Sequence, residues 1–158
     1  MDLDQLTYKI NGCAMKVHNT LGNGFQEVIY QRCLAIELRD AGISFQREES
    51  QTIYYEGIDV GTRRADFIIE ECVIVELKAV INLENVHLAQ AKNYVVAYNK
   101  PIGLLINFGS TSLQFKKVYN QKYDPNYTAK HHSQIIAESK PDTAIKQSKN
   151  SVNPDSDK

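Results

Sequence analysis

The chain reads as an α/β protein, and three observations predict it. Apolar residues recur at helical spacing twice before residue 42 and again between residues 82 and 99. Two short β-rich runs, 62–69 and 72–78, meet at the polar pair Glu70-Glu71, which suits a tight hairpin turn. Beyond about Tyr123 the composition changes to Ser, Lys, Asn, Asp and Pro, with few apolar residues. The expected order is helix, helix, strands, helix, strands, then a polar tail.

Each element has its own signal. Residues 2–19 place Leu6, Ile10, Cys13, Val17 and Leu21 at a helical period, and the loop Gly22-Asn23-Gly24 ends the run. A second helix is expected over 25–41, closing on Gly42 as its C′ residue. On it Glu27, Tyr30, Leu34 and Leu38 share one face. Residues 45–49 and 51–55 read as two extended segments, with Tyr55-Glu56-Gly57 and Gly61 supplying turns. The third helix is expected over 82–99, with Asn82 as N-cap and Pro101 beyond its end. Val86, Gln90, Tyr94 and Ala97 form one stripe of it, and Leu88, Val95 and Tyr98 lie off that stripe. Residues 102–108 are a buried-type strand and 113–119 a final alternating one.

Composition narrows the function classes. At 158 residues the chain fits one domain with a real core. A formal net charge of −1 excludes a global basic field for nucleic acid and leaves local patches such as Arg63-Arg64 or Lys116-Lys117. Cys13, Cys33 and Cys72 make neither an even disulfide framework nor a metal-binding C-x-x-C, and their apolar settings predict reduced, buried thiols of a cytoplasmic protein. No basic segment followed by an apolar run opens the chain, and no apolar run approaches spanning length, so neither a signal peptide nor a membrane span is expected. Residues 124–158 carry five Lys against five acids and too little apolar surface to offset chain entropy. They are expected to be disordered, with a transient helix near 132–139. The folded domain is then 1–123.

The hairpin carries the chemistry. Side chains alternate along a strand, so Glu76 and Lys78 point the same way. Folding about residues 70–72 brings Asp66 beside Glu76. Two carboxylates and an ammonium then converge at the end of an apolar hairpin, where charge is costly unless paired or holding a cation. The plainer reading is a solvated strand edge with a weak surface pair. Glu27 likewise suits the helix dipole at a first turn, yet it shares its stripe with Tyr30 and Leu34.

Together these residues resemble a known family. Asp66 followed by Glu76-Leu77-Lys78 is similar to the D…E-x-K core of the PD-(D/E)xK nuclease superfamily. Gly24-Phe25-Gln26-Glu27-Val28-Ile29-Tyr30 matches the signature of its GxxExxY branch, and Gln90 to Tyr94 resembles the Q-x-x-x-Y element of RecB-like members. Residues 103–109 look like the penultimate strand. The resemblance spans about 5–120 in order, with Ala65 standing where the superfamily's Pro would be.

The resemblance implies a restriction-endonuclease-like mixed sheet flanked by helices and a Mg²⁺-dependent phosphodiesterase, with Mn²⁺ able to substitute. The implied metal ligands are Asp66, Glu76, the backbone carbonyl of Leu77, and Glu27 directly or through water. Asp66, Glu76 and Lys78 would be the catalytic group, Lys78 orienting water or stabilising phosphoryl charge. Gln90 and Tyr94 would position Lys78 or a substrate phosphate, unless they are an ordinary helix stripe with Tyr94 in the core. A phosphate contact is the functional role for His87. Of Arg63 and Arg64, which point to opposite faces, Arg64 shares the Asp66 side. His18 and His87 lack ligand spacing with each other and stay outside the primary site. Tyr30 is read as packing that fixes Glu27. The expected substrate is nucleic acid, with DNA favoured over RNA, and a folded unit this small is expected to need a dimer or a protein partner to grip it. The competing expectation is a non-catalytic nucleic-acid- or protein-binding module on the same scaffold.

Overall fold

A computed structural model describes residues 2–127. The element order is α1 (Leu3–Leu21), α2 (Glu27–Asp40), β1 (Phe45–Tyr55), β2 (Ile58–Ile69), β3 (Val73–Lys78), α3 (Asn85–Ala97), β4 (Ile102–Asn107) and β5 (Gln114–Tyr119). The five strands form one mixed sheet in the order β1-β2-β3-β4-β5. Pairing is antiparallel for β2 with β3 and for β4 with β5, and parallel for β3 with β4 through the α3 crossover. This is the α/β, restriction-endonuclease-like architecture expected from the order of elements. The expected tail disorder and the helix near 132–139 fall on 128–158, outside the described residues.

Helices lie on both sides of the sheet because its central strands are apolar on both faces. Val73, Val75 and Leu77 of β3, with Ile102, Leu104 and Ile106 of β4, pack against Leu6, Ile10, Ala14 and Val17 of α1 and Tyr30, Leu34 and Leu38 of α2. Ile74 and Leu105 turn the other way, with Ala65, Ile68 and Val118, onto Ala91 and Val95 of α3. Gly103 allows that helix to approach, since a Cβ there would lie 2.6 Å from Val95 Cγ1. Cys13, Cys33 and Cys72 are unpaired, as expected, but only partly buried at the border of the larger core.

The helix ends follow local chemistry. Asp2 caps α1, its Oδ1 accepting the Gln5 N–H at 2.7 Å. Past α2, Gly42 adopts φ +71 and Ile43 N–H reaches back to the Leu38 carbonyl at 3.0 Å, a Schellman closure. Asn99, at φ +47, ends α3 in the same way, with Lys100 N–H on the Val95 carbonyl. The start of α3 differs from expectation: the N-cap is Glu84 rather than Asn82. Glu84 N–H donates to His87 Nδ1 at 2.9 Å, and this bond fixes the first turn downstream of Asn82.

The strands before the central hairpin also differ. Residues 45–55 form one strand rather than two segments, with Glu48 in the left-handed region at φ +53. Glu56 and Gly57, both at positive φ, make the two-residue turn, whereas Gly61 lies inside β2 rather than in a turn. Residues 2–50 and Arg64–Tyr123 belong to one compact unit, and Gln51–Arg63 belong to a second. Every residue of the candidate site lies in the first. No helix among the described residues is long and apolar enough to cross a membrane.

Candidate active site

The β2–β3 turn is built on Glu70 and Glu71, both left-handed at φ +48 and +59, with Cys72 N–H on the Ile69 carbonyl at 3.0 Å. It sets the register Ile69 to Val73, Ile68 to Ile74 and Phe67 to Val75. One step further the ladder stops, and side chains take over its hydrogen bonds. Leu77 N–H donates to Asp66 Oδ2 at 2.7 Å, and Asp66 N–H donates to Glu76 Oε1 at 3.3 Å. The N–H and C=O of one strand residue leave by the same edge, which turns the Leu77 carbonyl toward Asp66 as well.

Burial makes these carboxylates uncomfortable. Glu76 is only 7% exposed, and its carboxyl is pushed up to about 9, first by burial and then by the Asp66 charge. Asp66 is raised by burial, against the opposing pull of the Leu77 N–H, the Gln31 amide and the Lys78 charge. Glu27 stands at the first turn of α2. Its residue surface is exposed, yet desolvation of its carboxyl raises it, as does Asp66, while Lys78 lowers it. Glu27, Asp66, Glu76 and Lys78 therefore feel one another as a single electrostatic group. No ion pair holds Lys78 within 4.0 Å among the described residues.

Tyr30 supports the approach to Glu27. Its hydroxyl donates to the Gly22 carbonyl at 2.6 Å and accepts the Phe25 N–H at 3.3 Å. The ring stacks on Phe108 with centroids 4.6 Å apart. The loop leading into α2, with Gly22 and Gly24 at positive φ, is thus pinned from inside the core.

The remaining expected positions have other surroundings. Gln90 is exposed, and Tyr94 is half-buried against the α3-side core, 6.2 Å from the ring of Tyr98. His87 spends Nδ1 on the α3 cap. Arg64 reaches Glu48 at 4.0 Å, both side chains largely in solvent. No hydrogen bond joins Gln90, His87 or Arg64 to Asp66 or Glu76 among the described residues. His18, buried outside the site, holds the Ser110 carbonyl at 3.0 Å.

Sequence reasoning passed over three neighbours. Gln31 is buried and donates from Nε2 to Asp66 Oδ1 at 2.9 Å, while Arg47 Nη2 donates to Gln31 Oε1 at 3.2 Å. Glu48 lies close enough for its charge to raise Asp66. Gln31 had a signal, since it stands four residues after Glu27 on the same helical face. Arg47 and Glu48 had none, because they sit in the unbroken polar run 46–52 of β1.

The donor set suits a hard divalent cation. Three acids crowd one ammonium, so added positive charge is what the group lacks. Among the described residues no three His, Cys, Asp or Glu side chains form a ready-made metal cluster. Mg²⁺, however, takes only one or two carboxylates with carbonyl oxygen, water and substrate phosphate, and Asp66, Glu76 and the Leu77 carbonyl meet that need.

Comparison with known proteins bears on the whole folded unit. No curated protein matches the chain. Among solved structures, one titled "Crystal structure of SSO0001" aligns over 75% of this chain at 19% identity and a TM-score of 0.47, and the chain spans 57% of that protein's length. The model of the PD-(D/E)XK nuclease superfamily matches residues 4–118, from the start of α1 to the end of β5. The chain belongs to the PD-(D/E)XK nuclease superfamily.

Proposed function

We infer that this chain is a divalent-metal-dependent nuclease of the GxxExxY branch, hydrolysing phosphodiester bonds of nucleic acid, with DNA as the proposed substrate. One observation carries the reading: two carboxylates, the half-buried Asp66 and the buried Glu76, take over the hydrogen bonds of their own hairpin beside a lysine with no ion-pair partner among the described residues. A hairpin built only for stability would fill that place with an apolar pair.

Asp66, Glu76 and the Leu77 carbonyl are the ligands in this reading, with Glu27 contributing from α2 directly or through water. Mg²⁺, or Mn²⁺ in its place, supplies polarisation of the scissile phosphate and acidification of a water when bound. Lys78 places its ammonium against the phosphoryl oxygens and stabilises the charge that grows there. Glu76 and Asp66 hold the site's negative charge in fixed directions, so little reorganisation accompanies the reaction. Gln90, Tyr94 and Arg64 are assigned to positioning substrate, and His87 offers its remaining ring nitrogen, Nε2, to a phosphate. The nuclease domain is 1–123, the remainder is a polar tail, and a cytoplasmic protein acting with a second copy or a partner completes the proposal.

A non-catalytic binding module is the competing reading, favoured by the balanced net charge of −1. Nuclease assays on DNA and RNA with Mg²⁺ or Mn²⁺ decide between them. The proposal expects cleavage by the intact chain and a loss of at least about 100-fold in Lys78→Ala and Asp66→Ala. Binding without cleavage by the intact chain, under every metal tried, selects the module.

A further inference from the structure

We propose that Arg47 and Gln31 form a positioning pair that sets the carboxylate of Asp66 for a cation, an inference that rests on the metal-dependent reading above. The two oxygens of Asp66 each accept one N–H, Oδ2 from Leu77 and Oδ1 from Gln31. The Leu77 donor belongs to a strand and cannot turn. The Gln31 donor is an amide, and turning it over would bring an oxygen against Oδ1, two acceptors face to face.

Arg47 prevents that. A guanidinium only donates and an ionised carboxylate only accepts, so one amide orientation alone satisfies both neighbours. With Arg47 Nη2 on Oε1, the amide must present Nε2 to Asp66. Gln31 is buried at 5% exposure whereas Arg47 is exposed, so an arginine at the surface fixes a donor inside. Each oxygen of Asp66 keeps a further lone pair. The plane of the carboxylate is thereby set while directions for a cation stay open, the usual work of groups behind a metal ligand. Glu27 and Gln31 are four residues apart on α2, so one helix face supplies both a carboxylate and the orienter of another.

The test is a calorimetric Mn²⁺ titration of the full chain, with urea unfolding of the metal-free protein measured alongside. The variants are Gln31→Ala, Arg47→Ala, Arg47→Lys, the Gln31→Ala/Arg47→Ala pair, and Asp66→Ala. Gln31→Ala should weaken Mn²⁺ binding by about 10- to 100-fold. Arg47→Ala should weaken it less, Arg47→Lys should restore most of that loss, and the double variant should bind no worse than Gln31→Ala alone. Because Arg47 is exposed, its variants should keep the unfolding midpoint of the parent and read positioning free of folding. Parental affinity in Gln31→Ala, or single losses that add in the double variant, overturns the inference. If Asp66→Ala abolishes binding while Gln31→Ala keeps the parental affinity, only the positioning role falls. If the intact chain binds no Mn²⁺, the metal reading falls and this inference with it.

Discussion

Two buried polar sites flank β3–β4, and they are opposites. Asn107, wholly buried, donates from Nδ2 to the Val80 carbonyl at 2.8 Å and to Gln114 Oε1 at 2.9 Å. Its Oδ1 accepts Val80 N–H and Gly109 N–H, each at 3.0 Å. Every valence of that amide is filled without charge. At the β2–β3 hairpin, Asp66 and Glu76 are hydrogen-bonded yet crowded, and burial raises both. The first arrangement closes the loop that leaves Lys78 and asks for nothing more. The second is stable only while something else supplies positive charge. Buried polarity that serves the fold is neutral and satisfied, and buried polarity that serves chemistry is left unsettled.

The contrast breaks hardest at the satisfied site. A Cβ on Gly109 would lie 2.4 Å from the backbone N and O of Val80, which cannot swing aside. Gly109→Ala should therefore lose roughly 3 kcal/mol or more in urea unfolding. Asn107→Leu strands the partners of the amide and should cost about 2–4 kcal/mol, with or without divalent metal present. Metal that rescued Asn107→Leu more than the parent chain would erase the distinction between the two sites.

At the unsettled site the sign is reversed. Glu76 has a folded-state pKa of about 9 against an ordinary 4.5, so the folded chain holds its proton more tightly than the unfolded chain. The contribution of Glu76 to the stability of the metal-free protein is then greatest below the ordinary value and falls as pH rises toward 9, by at most about 1.4 kcal/mol per pH unit. Glu76→Gln should flatten that slope and make the metal-free protein more stable than the parent at about pH 8, by roughly 1–3 kcal/mol. Equal pH slopes in parent and variant would show that Glu76 is not the group being strained.

Smaller effects sharpen the boundary. Tyr30→Phe keeps the ring stacked on Phe108 but loses both loop bonds, and should cost about 1–2 kcal/mol in thermal unfolding. Arg64→Ala breaks only an exposed 4.0 Å pair and should change stability by less than about 0.5 kcal/mol.

Local signals explain what could be read from residues alone. The central hairpin was legible because short apolar runs flank a polar pair, and the turn then fixes the register that sets Asp66 beside Glu76. The buried runs of β3 and β4 announced a strand pair covered on both faces. Gln31 could not be tied to Asp66, 35 residues away, because side-chain bonds across elements leave no periodic trace. β1 reads as two segments either side of Ser50 because its polar residues hide a continuous strand, and the left-handed Glu48 has no turn residue to mark it. The expected α3 start at Asn82 lies too early because the cap is a Glu–His pair rather than a short polar residue.

The most direct test of the central claim is urea unfolding at about pH 8, in chelator and in Mg²⁺, for the parent chain and Glu76→Gln. Mg²⁺ should stabilise the parent strongly and the variant little, while in chelator the variant should be the more stable of the two. An equal Mg²⁺ effect on both proteins, or a variant less stable than the parent in chelator, would contradict it.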